Sequence, residues 1–133
     1  MSRHAARLAA VEVLYAADVR SIPAADVLDE RNDIDDYCRE LVTAVDLRRS
    51  ELDGVLGRHA HGWTTDRMSA VDRNVLRVAV VELTGGDVPA AAAIDEAVSL
   101  AKRLSGEEAG RFVNGVLEAV RQEVGSADPA GGL

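Results

Sequence analysis

Val88-Pro89, Ile94-Asp95-Glu96-Ala97-Val98-Ser99-Leu100-Ala101-Lys102 and Arg111-Phe112-Val113-Asn114-Gly115-Val116-Leu117-Glu118 make up the stretch that decides the fold. Pro89 suits the first turn of a helix, where its missing N–H costs nothing, and that helix is expected to run to about Leu104. Ser105-Gly106-Glu107-Glu108 has the spacing of a capping box and is expected to start a last helix ending near Gly125. Asn114-Gly115 between apolar residues is also a short-range hairpin signal. Phe112, Val116, Leu117 and Val120 nevertheless fall at helical spacing, and no companion strand is evident elsewhere, so the segment reads as helix. A glycine inside that helix costs about 1 kcal/mol relative to alanine. Its presence implies close approach by another helix, with Asn114 needing hydrogen-bond partners.

Upstream segments carry the same period. Leu8, Val11, Leu14 and Tyr15 share one face of a helix from Arg3 to about Val19. Ser21-Ile22-Pro23 ends it, because Pro23 disfavours helical geometry at the residue before it. The acidic stretch Ala24 to Asp36 reads as a connector with room for one helical turn. Tyr37, Leu41, Val42, Val45, Leu52, Val55 and Leu56 form two helical patterns with a bend near Arg49-Ser50-Glu51. His59 to Thr65 reads as a loop anchored by Trp63. Ser69-Ala70-Val71-Asp72 is a capping box with Asp72 in place of the usual Glu, and its helix passes Leu76, Val80 and Leu83 before Gly85-Gly86. Residues 1–125 are expected to form one domain, with a disordered tail over 126–133.

The chain has 133 residues, 47% of them apolar and 3% aromatic, which suits packed helices. One cysteine, Cys38, excludes an internal disulfide and fits a reducing compartment. No run of apolar residues approaches the roughly 20 needed to span a membrane, and no signal-peptide core precedes the first helix, so a cytoplasmic protein is expected. An enzyme is not expected. His4, His59 and His61 form no metal-ligand pattern, no glycine-rich phosphate loop is present, and the acids between Asp26 and Asp36 read as a solvated face. Neither a cofactor nor a metal is implied.

The net charge of −8 argues against a polyanion partner until it is divided along the chain. Residues 1–20 carry +1 and residues 58–81 carry +2, whereas residues 21–57 carry −6 and residues 82–133 carry −5. Arg3 and Arg7 stand four apart at the start of the first helix, and Arg73 and Arg77 repeat that spacing beside Asp72. Pairs at this spacing share a helix face and can straddle phosphates. Phe112, the single phenylalanine, follows Arg111 and offers a surface on which a base can stack.

Three blocks of sequence resemble the NusB family of bacterial transcription antitermination factors. They are Arg3-His4-Ala5-Ala6-Arg7 through Ala10-Val11-Glu12-Val13-Leu14-Tyr15, Trp63 through Arg67 and Val71-Asp72-Arg73 to Glu82-Leu83, and Ile94-Asp95-Glu96-Ala97 through Leu117. The resemblance implies an all-α fold of two packed three-helix halves. It implies RNA contacts at Arg3, His4, Arg7, Asp72, Arg73, Arg77, Arg111 and Phe112. The partners it implies are a boxA-type single-stranded RNA, the ribosomal protein NusE and the RNA polymerase antitermination complex, with no membrane. Monomer and homodimer both stay open. A second reading is a NusB-like protein-interaction module that has lost RNA binding, because His4, Ala5, Leu8 and Ala9 dilute the N-terminal arginine motif.

Overall fold

The computed structural model describes residues 2–60 and 68–126. Seven helices follow one another: α1 (Arg3–Arg20), α2 (Ala24–Asp29), α3 (Asp36–Leu47), α4 (Arg49–His59), α5 (Ala70–Gly85), α6 (Ala90–Ser105) and α7 (Glu107–Ser126). No strand occurs among the described residues. The loop expected around Trp63 lies outside them, as does the tail from residue 127 onward. Ser126, assigned to that tail from sequence, is the last residue of α7.

Local chemistry sets the helix ends. Ser2 Oγ accepts from Ala5 N–H at 3.1 Å, Asp35 Oδ1 from Cys38 N–H at 2.9 Å and Ser69 Oγ from Asp72 N–H at 3.1 Å, each satisfying a donor the helix itself leaves open. Gly86 closes α5 at φ 84°, a left-handed conformation that disfavours side chains. α3 and α4 part at Arg48 (φ −111°, ψ 17°), one residue before the expected bend. The acidic connector holds α2, six residues long.

The α6–α7 junction differs from expectation. Ser105 ends α6 instead of capping α7, and Gly106 makes the turn at φ 101°. The Asn114-Gly115 reading is also corrected in part. The segment is helical, but both residues are exposed, and a Cβ built on Gly115 meets nothing within 4 Å. The close approach occurs instead at Gly110, where an added Cβ would lie 2.5 Å from Lys102 Cγ. Spacing alone did not show which glycine faces inward.

Two groups of mutually packed helices share the core, α1–α2–α3 and α5–α6–α7, joined where α5 packs on α1 and α3. α4 leans mainly on α5 and α7. Leu14, Leu52, Leu56, Leu76, Leu100 and Leu117 are fully buried, as is Cys38, whose thiol burial pushes up to about 11. No described helix is long and apolar enough to cross a membrane. Because Gly115 is helical, exposed and unobstructed, Gly115→Ala is expected to raise stability by about 0.5–1 kcal/mol. Leu117→Ala should lower it by about 2–5 kcal/mol. Urea unfolding of both variants checks the assignment of faces; a destabilised Gly115→Ala would contradict it.

Candidate nucleic-acid interface

The first turn of α1 divides its basic residues between surface and interior. Arg3 is exposed and lies over the ring of Tyr37 on α3, its Cζ 4.5 Å from the ring centroid. His4 is exposed, and its Nδ1 donates to Glu96 Oε2 of α6 at 2.8 Å. Arg7 turns inward. Only 6% exposed, it donates from Nε to both carboxylate oxygens of Glu82 on α5, at 2.9 and 3.0 Å. Tyr37 Oη donates to the same carboxylate. Burial pushes the Tyr37 phenol up, and the hydrogen bond and negative charge of Glu82 push it further, to about 12. Glu82 is 4% exposed, so it is a buried anion matched by one cation and one hydroxyl.

The expectation that Arg3 and Arg7 straddle phosphates as a surface pair is therefore corrected. A position four residues on shares a helix face, but that face curves under α5, and Glu82 waits there. Arg73 and Arg77 need the same correction. Arg77 is 4% exposed and forks onto Asp53 with two 2.8 Å bonds, while its Nη1 reaches Asp18 Oδ2 at 3.2 Å and Asn74 Oδ1 at 3.1 Å. Arg73 donates to Asp18 Oδ2 from Nε and Nη2 at 3.4 and 3.3 Å. Asn74 Nδ2 adds a bond of 2.9 Å and Arg49 Nη1 one of 3.1 Å. Asp18 thus ties the end of α1 to α4 and α5.

A third set of residues does converge on open space. Ser69, which caps α5, Asp72 of α5, Ser105 at the end of α6, and Glu108, Arg111 and Phe112 of α7 line an open groove of about 650 Å³. Arg111 is exposed, and Phe112 is partly buried against the core. Asp72 Oδ1 is buried with no hydrogen-bond partner among the described residues. The structure thus brings Asp72, Arg111 and Phe112 together. Arg3 and His4 stand apart from that groove, on their seats at Tyr37 and Glu96.

Sequence reasoning also missed His59. Expected in a solvated loop, it closes α4 and donates from Nε2 to Glu123 Oε1 at 2.9 Å, beside a bidentate Arg58–Glu123 pair at 3.0 and 2.9 Å. These bonds, Arg58's first, hold the Glu123 carboxyl down at about 2. Tyr37 and Glu82 were missed as a unit. The available signal was Glu82 itself, an acid seven residues after Val75 and four after Val78 on the buried face of α5.

Among the described residues no group of three or more His, Cys, Asp or Glu is placed to hold a metal ion. The described residues form an all-helical protein with buried ion pairs between helices and an open groove at a helix junction. Comparison narrows the class. The NusB family model matches residues 4–122, and the chain belongs to that family. It is 44% identical over 128 residues to the transcription antitermination protein NusB of Thermobifida fusca, covering 92% of this chain and 90% of that protein. To the NusB of Saccharopolyspora erythraea it is 47% identical over 124 residues, covering 87% and 84%. A T. maritima NusB structure matches with a TM-score of 0.85 at 34% identity, covering 92% of each chain. A crystal structure of the antitermination factors NusB and NusE in complex with double-stranded RNA matches with a TM-score of 0.80 at 30% identity, covering 92% of this chain and 99% of that one.

The Asp18 hub yields a pH-dependent expectation. Burial pushes its carboxyl up, but hydrogen bonds from Asn74 and Arg49 and the charges of Arg77 and Arg49 prevail and hold it below the usual value. A carboxyl whose folded value lies below its unfolded value of about 3.9 gives full stabilisation above that pH. The stabilisation is lost as pH falls through the lower folded value. Asp18→Asn is expected to cost about 2–4 kcal/mol at pH 7, because three arginines lose a shared partner. It should also flatten the acid limb of stability below about pH 4. Urea unfolding at pH 7 and pH 3 measures both; a limb as steep as the parent's would remove Asp18 from this role.

Proposed function

We propose that this chain is a transcription antitermination factor that holds a boxA-type single-stranded RNA together with NusE, so that RNA polymerase transcribes through ribosomal RNA operons. The observation that carries the reading is the groove at the head of α7, where exposed Arg111 stands beside the ring of Phe112 and opposite the first turn of α5. A guanidinium there meets phosphate oxygens, and an aromatic edge accepts an unstacked base. Arg3 and His4 at the start of α1 provide a second contact with the RNA backbone. Asp72 shapes the groove wall, and Arg73, next to it in sequence, is tied to Asp18. Arg7 and Arg77 act from the interior by fixing the helices that carry the others. The protein works as an adaptor in the cytoplasm and performs no catalysis. A chain with net charge −8 binds RNA weakly alone, so NusE completes the site.

Salt dependence tests the division between surface and interior arginines. Each phosphate contact to a single strand contributes roughly 0.7 to the slope of log affinity against log salt. Replacing Arg3 and Arg111 together with alanine should therefore flatten the slope by about 1.4, with stability changed by less than about 0.5 kcal/mol. Arg7→Ala should instead lower stability by about 3–5 kcal/mol, because Glu82 is left buried without its cation. Phe112→Ala should weaken RNA binding by about 1–3 kcal/mol. Titrations of boxA-type RNA at several salt concentrations, with and without NusE, measure the slope and the Phe112 loss, and urea unfolding measures the stability of each variant. An unchanged slope for the Arg3 and Arg111 double variant, with NusE binding intact, would favour a protein-interaction module without RNA.

A further inference from the structure

Three helices meet at Glu82, and the rim of that meeting point is the start of α1. Tyr37, partly buried on α3, is pinned at its hydroxyl by Glu82. Glu82 is fixed in turn by the two bonds from Arg7. The phenol ring therefore has little freedom, and the Arg3 guanidinium lies over it. Attraction to the face of a ring holds a guanidinium without a conventional acceptor, which leaves N–H donors available to oxygen acceptors. Glu40 and Asp87 line the same small groove of about 210 Å³ as Arg3 and Tyr37. Glu82 lines that groove too but is already paired with Arg7, so without the ring Glu40 and Asp87 are the acids there left to compete for the Arg3 charge. An arginine on a flexible stem would swing toward them and be lost to an approaching phosphate.

We infer that Tyr37 is a positioning residue for RNA binding: its ring, locked by Glu82, presents the Arg3 guanidinium to a phosphate and keeps it off Glu40 and Asp87. The inference rests on the RNA-binding reading above and adds to it a residue from a different helix that touches no RNA. It also gives the buried Arg7–Glu82 pair a second consequence, since whatever fixes the Glu82 carboxylate fixes the seat of Arg3.

The test compares Tyr37→Phe with Tyr37→Leu, each alone and combined with Arg3→Ala, in the full chain with NusE present and a boxA-type RNA oligonucleotide as probe. Both Tyr37 variants lose the hydroxyl bond to Glu82, so any purely structural effect of that bond is common to them. Only Tyr37→Leu loses the ring. Tyr37→Leu is expected to weaken RNA binding about two- to fivefold, the range of an exposed cation–π contact, and to flatten the salt slope by up to about 0.7. Tyr37→Phe keeps the ring but loses the bond to Glu82 that holds it, so its loss should be measurable and smaller than that of Tyr37→Leu. In the Arg3→Ala background the two variants should be indistinguishable. Urea unfolding accompanies each titration to establish that every variant is folded. Equal losses for Tyr37→Leu with and without Arg3 would overturn the positioning role while leaving Arg3 as an RNA contact. Arg3→Ala without effect on affinity or slope would overturn both the contact and the inference.

Discussion

A carboxylate buried among three helices has to be matched, and Glu82 is the group around which this protein is fitted together. An unpaired ion at 4% exposure would cost several kcal/mol. Arg7 from α1 and Tyr37 from α3 supply the match, so those helices can dock on α5 only in the register that brings both groups to one point. Apolar packing alone would tolerate small sliding of α1 over α5. An ion pair with two bonds of 2.9 and 3.0 Å does not. Asp18 repeats the device at the other end of α1, drawing Arg49, Arg73 and Arg77 to a single carboxylate. α1 is thereby fixed at both ends, in opposite senses of charge: its cation reaches an acid of α5 at one end, and its acid gathers arginines of α4 and α5 at the other.

This arrangement explains how a chain of net charge −8 can offer positive charge where it is needed. Many of the arginines are consumed by internal acids or paired near the surface. Arg7 and Arg77 are consumed, each below 7% exposure, and no phosphate can reach them without opening the core. Arg20, Arg31, Arg48 and Arg58 are paired near the surface with Glu30, Asp33, Glu51 and Glu123, contacts of small energetic weight that leave little net field. Arg3 at the start of α1 and Arg111 near the head of α7 stay exposed, the second close in sequence to Glu107 and Glu108.

Helical content was legible because its signals are local. Ser69 caps α5 as its spacing required, Pro89 precedes the first turn of α6, and Gly86 ends α5 in a left-handed turn. The partition of the arginines was not legible, because it depends on what stands opposite in space. The four-residue spacing of Arg3 and Arg7 is the same whether the second faces water or Glu82. Ser105 illustrates the same limit: its capping-box spacing is correct, but α6 extends through it and Gly106 takes the turn. Glycine is ambiguous for a related reason. Gly110 and Gly115 both sit on α7, and only contact with Lys102 tells the packed one from the exposed one. At the groove, the local pattern Arg111-Phe112 was readable, whereas its partners Ser69 and Asp72, some forty residues upstream, became neighbours only through the α5–α7 packing.

The two open basic sites differ in their helix environment, and the difference assigns them different work on the proposed reading. A helix start carries partial positive charge from its unpaired N–H groups. The first turn of α1 holds no acid, so Arg3 acts in a field of its own sign. The first turn of α7 holds Glu107 and Glu108, which offset that field before Arg111 is reached. Electrostatic attraction for a phosphate is therefore stronger at α1, where a positively charged turn is braced on Tyr37 and Glu96. At α7 the aromatic ring offers what charge does not, a face that takes any base regardless of sign. On that reading an RNA strand is held by its backbone at one site and by a base at the other, and the buried Glu82 and Asp18 ties fix α1 against α5, the helix on which α7 also packs.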